Sequence, residues 1–155
     1  MASNKLRFGI CGLGFMGRTH FARLCDHSRA AVVAVCDRDP ALRTGDWEGR
    51  FGNLNVGSTP PRAALRGVGA YETAEEIIAD ANVDVVLIAL PTPLHAPLAI
   101  AALQAGKHVL CEKPMAYRPS DCNRMLAAAK ASGRTLMIGH CIRFWPQYKL
   151  IKQYV

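Results

Sequence analysis

The sequence predicts an α/β domain with a doubly wound parallel sheet. Short apolar runs alternate with stretches of helical periodicity along most of the 155 residues. The runs are apolar at nearly every position, as strands covered on both faces must be, rather than alternating like half-exposed strands. Where the first run meets the first helix stands a glycine-rich turn, Gly12-Leu13-Gly14-Phe15-Met16-Gly17.

Leu6 to Cys11 reads as the first strand, and Phe15 to His27 as a helix whose apolar residues Phe15, Met16, Phe21, Ala22 and Leu24 share a face. Ala31 to Cys36 is the second strand, so strand, helix and strand take about 30 residues, the length of one βαβ unit. From Thr44 to Gly69 periodicity fails. Six glycines and the pair Pro60-Pro61 mark a long loop or insertion, with a helical turn expected around Asp46 to Arg50. Thr73 followed by Glu76 forms a capping box for a helix over Ala74 to Ala81, and Asp84 to Leu90 is the clearest buried strand. Pro91-Thr92-Pro93 ends it. A helix follows from Leu94 to Ala105, stopped by Gly106 where a left-handed conformation is wanted. Lys107 to Glu112 is a strand, Pro119 to Ser132 a helix capped near Ser120 or Asp121, and Arg134 to Gly139 the last strand. The count is five strands. After Trp145-Pro146, the spacing of Tyr148, Leu150, Ile151 and Tyr154 predicts a helix with Pro146 in its first turn. That apolar pattern runs to the end of the chain, so residues 1–140 read as one domain and 141–155 as the start of a connection to a further one.

The glycines have a mechanical purpose. Gly12 permits the tight turn out of the strand, Gly14 lets a pyrophosphate approach the backbone, and Gly17 lets the helix pack closely on the strand. The helix N-terminus then offers free N–H groups and a partial positive charge to phosphate. Asp37 ends the second strand twenty residues after Gly17, where a carboxylate accepts hydrogen bonds from ribose hydroxyls and repels a 2′-phosphate. This favours NAD. Arg38 beside it leaves NADP open, because a guanidinium there could bind that phosphate, or it could be a solvated loop charge.

Glu112-Lys113-Pro114 follows a strand at the same sheet edge where Pro91 and Thr92 emerge. On a surface such a pair has little energetic value. At the carboxyl ends of parallel strands it would lie in the nicotinamide cleft, where a lysine can exchange protons with a reacting hydroxyl. Pro114 would fix the backbone, through a cis bond if the turn needs one.

Composition narrows the class. No apolar run approaches the roughly 20 residues that span a bilayer, and the first five residues carry no features of a secretory signal. The expectation is a soluble, cytoplasmic protein. Cys11, Cys25, Cys36, Cys111, Cys122 and Cys141 are scattered, without zinc spacing, and read as reduced thiols packed as small hydrophobes, with no metal site. The net charge of +7 is local. Residues 1–121 hold thirteen Lys/Arg against twelve Asp/Glu, while Arg124, Lys130, Arg134, Arg143, Lys149 and Lys152 stand in an acid-free tail. With no basic patch interleaved by aromatics, nucleic acid is not the expected partner.

Taken together, the glycine turn, Cys36-Asp37-Arg38-Asp39-Pro40, Pro91-Thr92-Pro93-Leu94-His95, the run from Ala105-Gly106-Lys107-His108 through Glu112-Lys113-Pro114, and Arg143-Phe144-Trp145-Pro146 resemble the glucose-fructose oxidoreductase, inositol dehydrogenase and rhizopine-catabolism oxidoreductase family. The resemblance covers nearly the whole chain, and its Glu-Lys-Pro element is far more specific than the glycines. It implies a Rossmann domain binding NAD or NADP, in an enzyme that moves hydride between nicotinamide and a sugar, cyclitol or related polyol. It also implies that Lys113 assists proton transfer, that Glu112 and Lys113 contact the nicotinamide ribose, and that Pro91, Thr92 and His95 line the cofactor cleft. Arg143 is implied near the nicotinamide or the interdomain hinge. Family members form homo-oligomers in full-length form and carry a second α/β domain with an Asp-x-x-x-His pair, which this sequence lacks. The 155 residues alone are therefore expected to bind cofactor without turning over substrate. A non-catalytic dinucleotide sensor with the same fold is the competing reading, and retention of Lys113 argues against it.

Overall fold

The computed structural model describes residues 5–47 and 62–154. Six strands form one parallel sheet: β1 (Leu6–Cys11), β2 (Ala30–Cys36), β3 (Gly69–Tyr71), β4 (Val85–Ile88), β5 (His108–Cys111) and β6 (Leu136–Ile138), in the order β3-β2-β1-β4-β5-β6. The chain winds outward from β1 in one direction and then, from β4, in the other. The order reverses between β1 and β4, and in open parallel sheets the loops after the two strands at such a reversal diverge and frame a crevice at the carboxyl edge.

Successive residues of the central strands feed two cores, as a period of two requires. Cys11, Ala34, Cys36, Val86 and Ile88 face a cluster closed by α3 (Ala74–Ala79), α4 (His95–Gln104) and α5 (Pro119–Ser132), through Ile77, Leu103 and Met125 among others. Ile10, Val35 and Leu87 face the opposite cluster, closed by α1 (Phe15–Cys25) through Phe21 and by Trp47. Layers on both faces explain why the strands read as unbroken apolar runs.

Local chemistry fixes the element ends. The Thr73 hydroxyl accepts from the Glu76 N–H while the Glu76 carboxylate accepts from the Thr73 N–H at 2.9 Å, the expected capping box. Gly106 and Gly133 adopt positive φ after α4 and α5, where a side chain would be strained.

The structure departs from the sequence reading at several boundaries. Among the described residues there are six strands, not five. β3 is only Gly-Ala-Tyr at the sheet edge, too short to show a period, and it begins at the last residue of the expected insertion. α1 ends at Cys25 rather than His27, and α4 starts at His95 after a 3-10 turn over Thr92–Leu94. The N-cap of α5 is Arg118, with Pro119 in the first turn, not Ser120 or Asp121. A short α2 (Pro40–Arg43), capped by the Asp39 carboxylate on the Ala41 N–H, precedes the insertion. Of the turn expected at 46–50, Asp46 and Trp47 are not helical and the remainder lies outside the described residues. So does most of the insertion, but its flanks pack. Trp47 is buried edge-on to Phe21, with ring centroids 5.2 Å apart at 82°, and its indole N–H donates to the Leu42 carbonyl. The final helix, α6 (Pro146–Ile151), forms with Pro146 in its first turn, but it is capped at Lys152 and leaves the expected Tyr154 outside it.

Candidate functional site

Four segments meet at the carboxyl edge: the turn after β1, the end of β2, and the segments after β4 and β5. In the turn, Gly12 has φ of +91°, and a Cβ there would lie 2.6 Å from the Ala89 carbonyl oxygen. A Cβ on Gly17 would overlap the Gly12 carbonyl. Gly12 thus lets the turn lie against the backbone after β4, and Gly17 seats α1 on the turn. Gly14 differs, since it is exposed and a Cβ there would meet nothing within 4 Å. It is the N-cap of α1, and among the described residues no side chain caps the helix and no acid stands in its first turn. The N–H groups of Phe15, Met16 and Gly17 therefore begin a helix with an open, partially positive end.

Asp37 lies beside this turn. One carboxylate oxygen accepts from the Leu13 N–H at 2.7 Å and the other from the Asp39 N–H at 2.9 Å. The Gly12 N–H donates to the Cys36 carbonyl, so side chain and backbone both lock the glycine turn to the end of β2. Arg43 reinforces the corner, its guanidinium donating to the Asp37 carbonyl at 2.6 Å. Arg38 is exposed. An open helix end, a glycine without obstruction and a fixed carboxylate one strand away suit a pyrophosphate and an adenosine ribose.

Across the crevice, the Glu112 N–H continues the β4 ladder by donating to the Ile88 carbonyl. The Glu112 side chain is nearly buried. One carboxylate oxygen lies 2.8 Å from His20 Nε2 on α1 and the other accepts from the Lys113 N–H. The His20 contact, aided by the Lys113 N–H and opposed by burial, holds the Glu112 carboxyl below its ordinary range. Lys113 is exposed and joined to Pro114 by a cis peptide bond. Pro91 is exposed and Thr92 half-buried in the 3-10 turn after β4.

Residues 6–140 match the oxidoreductase family of the glucose-fructose oxidoreductase, inositol dehydrogenase and rhizopine-catabolism type, NAD-binding Rossmann fold. The chain belongs to this family. It is 37% identical over 150 residues to inositol 2-dehydrogenase 1 of Saccharopolyspora erythraea, covering 96% of this chain and 40% of that protein. Among solved structures it is similar to the WlbA dehydrogenase of Bordetella pertussis in complex with NADH and UDP-GlcNAcA (TM-score 0.78, 29% identity, 99% of this chain and 40% of that one). It is likewise similar to the scyllo-inositol dehydrogenase of Lactobacillus casei with bound NAD(H) and scyllo-inositol (TM-score 0.78, 25% identity, 96% and 40%). The chain thus spans about two fifths of the length of these relatives, and it carries the family's NAD-binding domain.

Within that domain the expected site residues do not all stand alike. Gly12, Gly14, Phe15, Met16, Gly17 and Asp37 converge at one end of the crevice, while Pro91, Thr92, Glu112 and Lys113 lie at its other side. His95 needs correction as a cleft-lining side chain. It is 1% exposed, with Nδ1 2.8 Å from the Pro114 carbonyl and Nε2 2.8 Å from the Leu90 carbonyl. Both ring nitrogens are spent on backbone, so His95 clasps the segments after β4 and β5 together. Arg143 is exposed in a 3-10 turn over Cys141–Phe144, beyond the carboxyl end of β6.

Of the six cysteines expected as packed thiols, Cys11, Cys36 and Cys111 are buried and Cys122 is half-buried, but Cys25 and Cys141 are exposed on the ends of their elements and do not pack. Cys11 and Cys36 are register partners on β1 and β2, and the hydrogen bond to Cys36 together with burial pushes the Cys11 thiol up. Burial raises Cys111 to about 12, with the Glu112 charge adding to it. Among the described residues no group of three or more His, Cys, Asp or Glu could hold a metal, and no helix is long and apolar enough to cross a membrane. Sequence reasoning missed His20, Arg43 and Gly139. His20 follows Gly17 by three residues on the helix face turned to the strand ends, a usable signal; the contacts of Arg43 and Gly139 depend on tertiary placement.

Proposed function

We propose that this domain, within its full-length protein, serves an NAD-dependent dehydrogenase that moves hydride between nicotinamide and a hydroxyl-bearing carbon of a cyclitol, sugar or related polyol. The observation that carries the reading is the Glu112-Lys113-Pro114 corner, held across the β1/β4 crevice from the glycine turn. When bound, NAD supplies the hydride acceptor. The first turn of α1 holds the pyrophosphate, Asp37 the adenosine ribose, and Pro91, Thr92 and Glu112 the nicotinamide side. The Asp37 carboxylate, fixed by two backbone N–H groups, accepts from ribose hydroxyls and disfavours a 2′-phosphate, which supports NAD over NADP. Lys113 sits where its ammonium can hold or move the proton of the substrate hydroxyl, and Arg143 stands on the approach to that place.

The remainder of the protein supplies the substrate contacts. Residues 141–155 begin the connection to it, and the exposed Phe144, Trp145, Leu150 and Ile151 are surface that further chain would cover. The relatives named as inositol dehydrogenases support a cyclitol as the first substrate to try. In the full-length protein with myo-inositol and NAD, Lys113→Ala should lower kcat by at least about a hundredfold, the usual contribution of a positioned acid or base. Cofactor affinity should hardly change. Undiminished turnover in that variant would remove Lys113 from the chemistry.

A further inference from the structure

Neither the cofactor contacts nor the chemistry uses His20, yet it is the side chain of α1 that reaches the catalytic corner. It lies one turn beyond Met16 on the helix whose N-terminus faces the phosphates, half-buried, with Nε2 on Glu112 at 2.8 Å. The other Glu112 oxygen accepts from the Lys113 N–H. Space for the carboxylate is reserved on the β6 side, where a Cβ on Gly139 would stand 3.2 Å from the same oxygen that meets His20 and 3.4 Å from its carbon. Gly139 is held there by its own N–H, which donates to the Cys111 carbonyl. One carboxylate therefore links the phosphate-binding helix, the strand end bearing Lys113 and the backbone after β6.

We propose that His20 is a positioning residue that, through Glu112, sets the Lys113 corner at a fixed distance from the dinucleotide turn, so that the two ends of the cofactor are gripped in register. The inference rests on the nicotinamide lying at the Glu112-Lys113 end. Glu112 has few alternatives once His20 is removed. A nearly buried carboxylate that loses a charge-assisted partner turns toward solvent rather than stay unsatisfied, and in turning it releases the Lys113 N–H. Anchoring of α1 on the strand is independent of this link, because Gly17 seats it against Gly12 and Phe21 is fully buried beneath it. The helix end and Asp37 keep their places without His20.

The consequence is confined to one end of the cofactor. His20→Leu should weaken NADH by about tenfold, the loss of one charge-assisted hydrogen bond's ordering, and leave ADP affinity within about twofold. His20→Gln, whose amide N–H reaches the position of Nε2, should restore NADH binding to within about threefold of the parent. Hydrogen exchange at the Lys113 amide should quicken at least about tenfold in His20→Leu and not in His20→Gln, while the Leu13 amide, held by Asp37, is unchanged. Equal losses for NADH and ADP would show a merely structural histidine and overturn the proposal. So would unchanged Lys113 exchange in the leucine variant. Failure of the parent protein to bind NADH would instead sink the functional reading, with the exchange measurement still deciding what His20 does.

Discussion

Asp37 illustrates how much one side chain is asked to do. Its oxygens each take a backbone N–H, which orients the carboxylate and ties the glycine turn to β2, and each keeps a lone pair for a further donor. Asp37→Asn keeps the shape but loses the charge and one acceptor, so NADH affinity should fall by about tenfold. NADPH should lose less or gain, narrowing the ratio between the two in paired fluorescence titrations. Undisturbed discrimination would assign that role elsewhere, to Arg38 first. At this scale the sequence made Gly12, Gly17 and the place of Asp37 legible, because each has a mechanical reason to be that residue at that spacing. His95 was read in the right place with the wrong task, since a ring that clasps two carbonyls and a ring that faces a ligand leave the same letter in the sequence. Gly139 leaves almost no mark at all, its meaning lying in a carboxylate twenty-seven residues earlier in the chain.

Among elements, the amino edge of the sheet has its own fastening. The Arg7 guanidinium pairs with Asp84 at 2.7 and 2.9 Å, and the Arg7 N–H donates to the same carboxylate, joining β1 to the entry of β4. The Arg7 side-chain hydrogen bond, ahead of the opposing effect of burial, lowers the Asp84 carboxyl to about 2. A depressed carboxylate contributes stability that is present above its usual value and lost as pH falls through its folded value. Both partners are roughly a third exposed or more, so solvent screening limits the contribution to about 1 kcal/mol. Asp84→Asn should therefore lower Tm by about 2–4 °C at neutral pH for a chain of this length. That difference should shrink between about pH 4 and pH 2; a pH-independent difference would point to lost packing instead. The strong elements were readable because their periods are long enough to declare themselves. β3 was not, for three residues at an edge carry no pattern, and Trp47 was passed over because an aromatic in a glycine-rich stretch gives no sign that it packs on Phe21.

For the whole molecule, alternation of strand and helix predicted a doubly wound parallel sheet but not its winding. Strand order follows from the crossovers, and the reversal between β1 and β4 is what turns two unrelated-looking motifs, a glycine turn near residue 14 and a Glu-Lys-Pro corner a hundred residues later, into the two sides of one crevice. Gly14 offers the most direct test. It is exposed, its φ is ordinary, and a Cβ there meets nothing within 4 Å among the described residues, yet it stands where a pyrophosphate must approach the backbone. NADH fluorescence should be titrated against the 155-residue chain and its Gly14→Val variant, with Tm recorded for both. A pyrophosphate seat at Gly14 predicts saturable binding by the parent and none by Gly14→Val, with Tm values within about 4 °C, the shift of roughly 1 kcal/mol for a poorer N-cap. A folded parent that fails to bind, or a valine variant that binds equally well, would contradict it.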